Sequence, residues 1–139
     1  MKNILLILVL ILSFNSIKAQ EKTDNKLPFS PTVKVDNLVF VSGQVGINPA
    51  TSTLVKDGFE SEVRQIMDNL QTLLKSHNLT LDDLVSTIIY LKDMDNYTIL
   101  NQIYGSYFKE RFPTRTCIAV VDLPAGASVE ISGIAHLKE

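Results

Sequence analysis

Two charged residues in the last quarter of the sequence lie in segments that otherwise have the composition of buried strands. Arg115 follows Phe-Pro-Thr, and Glu130 lies between Val129 and Ile131 after a Leu-Pro-Ala-Gly-Ala turn. A guanidinium is rarely buried unless an anion pairs with it. Arg115 must therefore meet either a carboxylate of the protein or an anionic ligand.

The same two residues leave two interpretations open. If their strands are neighbours, Arg115 and Glu130 form a structural ion pair. Alternatively, Arg115 binds the carboxylate of a substrate through two parallel hydrogen bonds while Glu130 positions a water molecule. Residue types and spacing alone do not decide between these interpretations.

Other kinds of chemistry have little support in the sequence. His77 and His136 lack the spacing of metal ligands, so no metal site is predicted. No glycine-rich loop follows a predicted strand, and Ser42 is not part of a G-x-S-x-G motif, which disfavours a nucleotide cofactor and a serine hydrolase. The single cysteine, Cys117, lies in an apolar run, where a buried and unreactive thiol is the simpler interpretation than a catalytic nucleophile.

The first 19 residues differ from the rest of the chain. Lys2 precedes an unbroken apolar run over residues 4–12, and a short polar stretch then ends at Ala19, which is the pattern of a secretory signal. The run is shorter than the roughly 18–20 residues that span a bilayer, so no stable membrane anchor is expected after processing. The sequence therefore predicts that the mature protein is exported to the periplasm or the exterior. The predicted organisation is a signal peptide over residues 1–19, a flexible leader over 20–27 and one domain over 28–139.

The charge of the chain also changes when this segment is set aside. The 139 residues include 13 basic and 15 acidic side chains, a net charge of −2, but Lys2 and Lys18 belong to the first 19 residues. The remaining 120 residues carry 11 basic and 15 acidic groups, a net charge of 11 − 15 = −4. A chain of this size buries one core. Its acidic balance argues against a nucleic-acid partner and against RNA cleavage.

Two helices are predicted to position the candidate residues. Apolar residues recur at helical spacing over residues 59–76, and the polar segment 46–58 before them is predicted to be a loop. Asp93 or Asp95 can cap a second helix, which Pro113 stops.

The strands are predicted from runs of β-branched and aromatic residues. Asp36 and Asn37 tolerate the backbone of a tight hairpin and join the first two runs. The predicted strands cover residues 33–35, 38–42, 85–91, 115–121 and 129–137.

The order β-β-α-β-α-β-β predicts an α+β domain, in which a mixed sheet carries both helices on one face. The other face is then uncovered. Since Val129, Ile131 and Ile134 have the character of buried residues, self-association is predicted.

Five segments make the chain resemble the YjgF/Rid family of reactive intermediate imine/enamine deaminases. They are Leu-Pro-Phe-Ser at 27–30, Phe-Val-Ser-Gly-Gln-Val-Gly at 40–46, Asn-Gln-Ile-Tyr at 101–104, Phe-Pro-Thr-Arg-Thr-Cys at 112–117 and Leu-Pro-Ala-Gly-Ala-Ser-Val-Glu-Ile at 123–131. The resemblance extends over about residues 27–137. It implies a chorismate-mutase-like fold assembled as a homotrimer with ligand clefts between subunits. It further implies hydrolysis of 2-imino or enamine acids to 2-keto acids and ammonia, without a metal or an organic cofactor.

The resemblance also implies roles for individual residues. Arg115 holds the substrate carboxylate and Glu130 hydrogen-bonds the attacking water. The remaining site residues that it implies are Ser42, Gly43, Cys117 and Asn101.

The sequence departs from the family at one position of the implied cleft. Many deaminating members carry a tyrosine after the proline near the start of the domain, whereas Thr32 follows Pro31 here. Phe29 or Ser30 is the substitute predicted to line the cleft beside Thr32. The departure keeps a second hypothesis open, namely a non-catalytic trimer that binds small carboxylates such as 2-ketobutyrate.

Overall fold

The computed structural model describes residues 28–138. The predicted signal peptide over 1–19 and the predicted leader over 20–27 lie outside the described residues. Within 28–138, neither helix is long and apolar enough to cross a bilayer.

A mixed five-stranded sheet forms the centre of the domain. Its strand order is β1-β2-β7-β5-β6, with β5 and β6 parallel and all other neighbours antiparallel. A separate hairpin joins β3 to β4. The strands are β1 (Thr32–Val35), β2 (Leu38–Gln44), β3 (Ile47–Asn48), β4 (Thr53–Leu54), β5 (Leu84–Leu91), β6 (Thr114–Ala119) and β7 (Val129–His136).

Two helices pack on one face of this sheet, as the sequence predicts. They are α1 (Phe59–Lys75) and α2 (Tyr97–Gly105). Five apolar side chains of α1 are fully buried, and the burial of each contributes about 1.5–3 kcal/mol: Val63, Ile66, Met67, Leu70 and Leu74. Glu60 and Glu62 in its first turn and Lys75 in its last complement the helix dipole.

Two predicted elements are wrong in part. The segment 46–58 is not a continuous loop, because it contains the β3–β4 hairpin. The second helix ends at Gly105 and not at Pro113. The carboxylate of Asp82 accepts hydrogen bonds from the backbone N–H groups of Lys109 and Glu110, at 2.9 and 3.3 Å. These bonds hold the backbone after Gly105 in a non-helical conformation.

The two faces of the sheet have different environments, and this corrects the predicted basis for self-association. Val129 and Ile131 are fully buried beneath the helices, while Ile134 lies on the other face, since strand side chains alternate. That other face has no helix over it. Large apolar side chains remain exposed on it: Val33, Val35, Phe40, Ile88 and Ile118.

Candidate functional site

Arg115 lies on the helix-covered face, against aromatic side chains of α2. Its Nη2 atom donates a hydrogen bond to Tyr97 Oη at 3.1 Å. Its Cζ atom is 5.6 Å from the ring centroid of Tyr97 and 5.2 Å from that of Tyr104, within the range of cation–π attraction. Tyr104 is itself fixed by a buried hydrogen bond of 2.9 Å between its hydroxyl and Thr87 Oγ1. The guanidinium is therefore oriented by neutral groups.

No carboxylate of residues 28–138 pairs with Arg115. The ion pairs of this part of the chain join Lys92 to Asp122 and Lys138 to Asp83. A guanidinium has five N–H donors, and the hydrogen bond to Tyr97 uses one of them. The others remain available for an anion.

A small cavity adjoins the guanidinium. Its volume is about 300 Å³, and its lining includes Arg115, Asn101 and the exposed ring of Phe112. Asn101 Oδ1 is buried and has no hydrogen-bond partner among the described residues. Since buried polar atoms nearly always have a partner, this oxygen is an available acceptor beside the cation.

Cys117 follows Arg115 on the same face of β6, because Ile89 lies opposite it in the register. Burial raises the pKa of its thiol, and this effect exceeds the opposite influence of the Arg115 charge. A thiol with a raised pKa is a poor nucleophile at neutral pH. Its surroundings therefore favour the unreactive interpretation.

Glu130 lies on the opposite face of the sheet from Arg115. The strand β5 separates β6 from β7, with Thr87 opposite Arg115 and Tyr90 opposite Glu130. Thr87 points toward the helices, so Tyr90 and Glu130 point away from them. The interpretation of Arg115 and Glu130 as an ion pair on neighbouring strands is therefore wrong within one chain.

The Glu130 carboxylate packs against the backbone of Gly43. A Cβ atom at this position would overlap Glu130 Oε1, so only glycine allows the approach. A β-bulge between Val41 and Gln44 brings this backbone toward β7. Burial raises the pKa of the Glu130 carboxyl above its ordinary value of 4.5. The group is thus a stronger base than an exposed glutamate.

The end of β2 around Gly43 is held by short hydrogen bonds. Ser42 Oγ donates to the Ser30 carbonyl at 2.6 Å. The side-chain amide of Gln44 donates to the carbonyls of Ser42 and Gly43 at 3.0 and 3.2 Å. Ser42 therefore supports the backbone path with its hydroxyl engaged.

The residues before β2 divide between two locations. Phe29, 55% exposed, joins Pro31 and Gly43 in lining a mainly apolar cavity of about 440 Å³ between the β2–β3 segment and α1. The Thr32 hydroxyl is instead 2.9 Å from His77 Nε2, at the end of α1. Phe29 thus lies beside the residues at the end of β2, whereas the Thr32 side chain is bound elsewhere.

The candidate residues form two groups within one chain. The arginine group lies on β6 and α2 and contains Arg115, Asn101, Cys117, Tyr97 and Tyr104. The glutamate group lies around the end of β2 and the start of β7 and contains Glu130, Gly43, Ser42 and Phe29. No group of three or more potential metal ligands occurs within 28–138.

Sequence reasoning missed the two tyrosines of the arginine group. Both lie in the segment of the second predicted helix, where aromatic side chains are typical of an apolar face. The signal that could have found them is the spacing of Tyr97, Asn101 and Tyr104, which places three polar functions at i, i+4 and i+7 on one helix face.

Comparisons with known proteins agree on one family. The family model described as endoribonuclease L-PSP matches residues 20–137. The human 2-iminobutanoate/2-iminopropanoate deaminase is 35% identical over 108 residues, which cover 78% of this chain and 79% of the human protein. A RutC family protein of Aquifex aeolicus is 40% identical over 110 residues, covering 78% and 87% of the two chains.

Solved structures of similar proteins have the same fold. The YjgF gene product of E. coli superposes with a TM-score of 0.77 at 28% identity and covers 81% of this chain and 91% of its own. RidA from an Antarctic Psychrobacter superposes with a TM-score of 0.76 at 32% identity, covering 79% and 89%.

Proposed function

The chain belongs to the endoribonuclease L-PSP family, which includes YjgF and RidA, and from this membership we propose that it hydrolyses 2-imino acids to 2-keto acids and ammonia. The observation that carries the proposal concerns the Arg115 guanidinium. This group adjoins a cavity, and no carboxylate of the described residues pairs with it. An unpaired guanidinium suits a ligand carboxylate, because its donors match both oxygens. The similar human protein is named as a deaminase of two such imino acids.

The proposed reaction needs orientation and one base. Arg115 holds the substrate carboxylate, and Glu130 accepts a proton from water while the water oxygen bonds to the imine carbon. The electron pair of the C=N bond moves to nitrogen. Glu130 then returns the proton to nitrogen, which gives a carbinolamine. The hydroxyl proton of this intermediate next passes through Glu130 to nitrogen as the C–N bond breaks, so that the C–O bond becomes the keto group and ammonia leaves. An imine is already electrophilic, so positioning and general-base catalysis supply the acceleration.

A complete site of this kind requires a second copy of the chain. Arg115 and Glu130 point to opposite faces of one sheet, so one copy alone cannot place both on a small substrate. We propose a homotrimer in which the glutamate group of one subunit meets the arginine group of the next. The exposed apolar residues on the open sheet face would then be covered by the assembly.

Activity of Arg115 variants tests the proposed function. We expect Arg115→Ala to lower kcat/KM for enzymatically generated 2-iminobutanoate by about 10- to 100-fold, which corresponds to roughly 1.5–3 kcal/mol of lost binding. Arg115→Lys should recover part of the loss, since it restores charge without the two-pronged geometry. Release of 2-ketobutyrate is the measurement.

Arg111→Ala is the matched control. Arg111 is exposed and donates to the Asp82 carbonyl at 3.4 Å, outside the cavity of Arg115, so this variant should keep full activity. Equal activity of Arg115→Ala and the unmodified protein would contradict the role of Arg115. An unmodified protein that binds 2-ketobutyrate in calorimetry but releases no product would replace the deaminase with the non-catalytic binder.

A further inference from the structure

Glu62 is a buried carboxylate that the proposed reaction does not use. It lies in the first turn of α1 and is only 6% exposed, beside the fully buried Val63. Burying a charged group is costly unless hydrogen bonds replace its water. The hydrogen bonds that stabilise this buried carboxylate therefore indicate the role of Glu62.

Both oxygens of Glu62 accept hydrogen bonds from Ser128. The Ser128 backbone N–H donates to Oε2 at 2.8 Å, and its hydroxyl donates to Oε1 at 3.0 Å. The Ser128 carbonyl in turn accepts from the backbone N–H of Lys92 at 3.0 Å. Ser128 is thus held from two sides immediately before β7 begins.

Gly46 allows the chain after β2 to approach the first turn of α1 closely at Glu62. A Cβ atom on Gly46 would lie 2.9 Å from Glu62 Cα, so the two backbones are in direct contact. Gly46 follows Gly43 by three positions, and Ser128 precedes Glu130 by two. One residue therefore contacts both segments that carry the Gly43–Glu130 pair.

We propose that Glu62 is a positioning residue, which holds the Glu130 carboxylate against Gly43 by joining the start of β7 to the end of β2. The effect on turnover rests on the proposed function, whereas the effect on the geometry of Glu130 does not. A merely structural Glu62 would anchor α1 and change stability alone.

Three variants separate these roles. Glu62→Ala removes both acceptors. Glu62→Gln keeps one oxygen for the Ser128 N–H and offers an amide donor to the Ser128 hydroxyl, which can reverse its role. Glu60→Ala is the control, because Glu60 lies in the same helical turn but is exposed.

Turnover of 2-iminobutanoate is the first measurement, corrected for the folded fraction. We expect Glu62→Ala to lower kcat by about 10-fold or more while KM stays within about twofold, because Arg115 belongs to the other group of site residues. Glu62→Gln should recover most of kcat, and Glu60→Ala should match the unmodified protein. An unchanged kcat in folded Glu62→Ala would overturn the proposal.

The second measurement needs no activity. The pKa of Glu130 is followed by the carbon-13 chemical shift of its carboxyl group during a pH titration. In Glu62→Ala the carboxylate should leave Gly43 and regain water, so the pKa of Glu130 should fall toward its ordinary value. A pKa that stays raised would contradict the positioning role, even if the unmodified protein proves inactive as a deaminase.

A milder variant guards against misfolding. If Glu62→Ala does not fold, Ser128→Ala removes only the hydroxyl donor and leaves the N–H bond to Oε2. It should lower kcat and the pKa of Glu130 in the same direction by a smaller amount. No change in either quantity would overturn the proposal.

Discussion

At the scale of single residues, neither Arg115 nor Glu130 has a counter-ion among residues 28–138. Tyrosine rings orient the guanidinium without neutralising it. The carboxylate loses water against Gly43, and burial raises its pKa. Each group therefore keeps its capacity for interaction with a ligand, which is the condition for electrostatic preorganisation.

The raised pKa of Glu130 predicts the pH dependence of turnover. Only the ionised carboxylate can accept a proton from water, so kcat should rise with pH as Glu130 loses its proton. Because burial raises this pKa, the midpoint should lie above the ordinary value of 4.5. The measurement is kcat for 2-iminobutanoate at a series of pH values from about pH 4 to pH 8.

Glu130→Gln gives the control for this profile. It removes the titrating group, so the small remaining activity should lose the acidic limb. If Glu130→Gln keeps that limb with unchanged midpoint, another group titrates and Glu130 is not the base.

At the scale of elements, Asp83 connects the turn before β5 to the chain that follows β7. Its Oδ2 accepts hydrogen bonds from the backbone N–H and the hydroxyl of Thr80, at 2.8 and 3.0 Å, and its Oδ1 pairs with Lys138 at 2.9 Å. The bond from the Thr80 N–H is one of the two contacts of a capping box, which a Thr-x-x-Asp sequence favours. Burial raises the pKa of Asp83, but the hydrogen bonds from Thr80 and the contact with Lys138 outweigh it, so the pKa is lowered.

Asp83→Ala should destabilise the domain by about 1–2 kcal/mol, the usual cost of losing such a cap. Since the pKa of Asp83 is depressed by folding, its contribution is present above the ordinary aspartate value of 3.8 and is lost as pH falls toward the folded-state pKa. The difference between Asp83→Ala and the unmodified protein should therefore shrink in acid. Urea unfolding at neutral and acidic pH is the measurement.

Lys138→Ala is the comparison variant for Asp83. Its side chain is exposed and its charge is screened, so it should cost much less than Asp83→Ala. Equal losses for the two variants would show that the ion pair, and not the cap, carries the stability.

At the scale of the whole molecule, the position of β5 between β6 and β7 separates the arginine group from the glutamate group. The open sheet face adds exposed apolar side chains such as Phe40 and Ile118, at 41% and 44%. Both observations favour assembly, the first because the proposed site would be incomplete in one copy and the second because burial of these residues is favourable.

Mixed assemblies test whether neighbouring copies share a site. Arg115→Ala and Glu130→Ala should each keep at most about a tenth of the activity alone. When they are co-expressed in equal amounts, random assembly gives both wild-type residues at about one quarter of the sites, so about a quarter of the activity should return. Turnover of the mixture and its mass by light scattering are the measurements. No recovery in a confirmed mixed trimer would show that both residues act within one subunit.

The amino-acid sequence alone determined the α+β class, the extent of α1, most strands and the residues that resemble a known family. These features depend on local periodicity, turn residues and short motifs, which a single segment carries by itself. Export by residues 1–19 stays a prediction from the same kind of pattern.

Only the tertiary structure decided which charged groups meet. That Val129 and Ile131 face the helices while Glu130 faces away depends on the register of β7 against β5. That β5 separates Arg115 from Glu130 depends on strand order, which no segment specifies locally. The contacts of Arg115 with Tyr97 and of Glu62 with Ser128 likewise join residues far apart in sequence. Such contacts arise from the packing of the whole chain, because each depends on where several other elements lie.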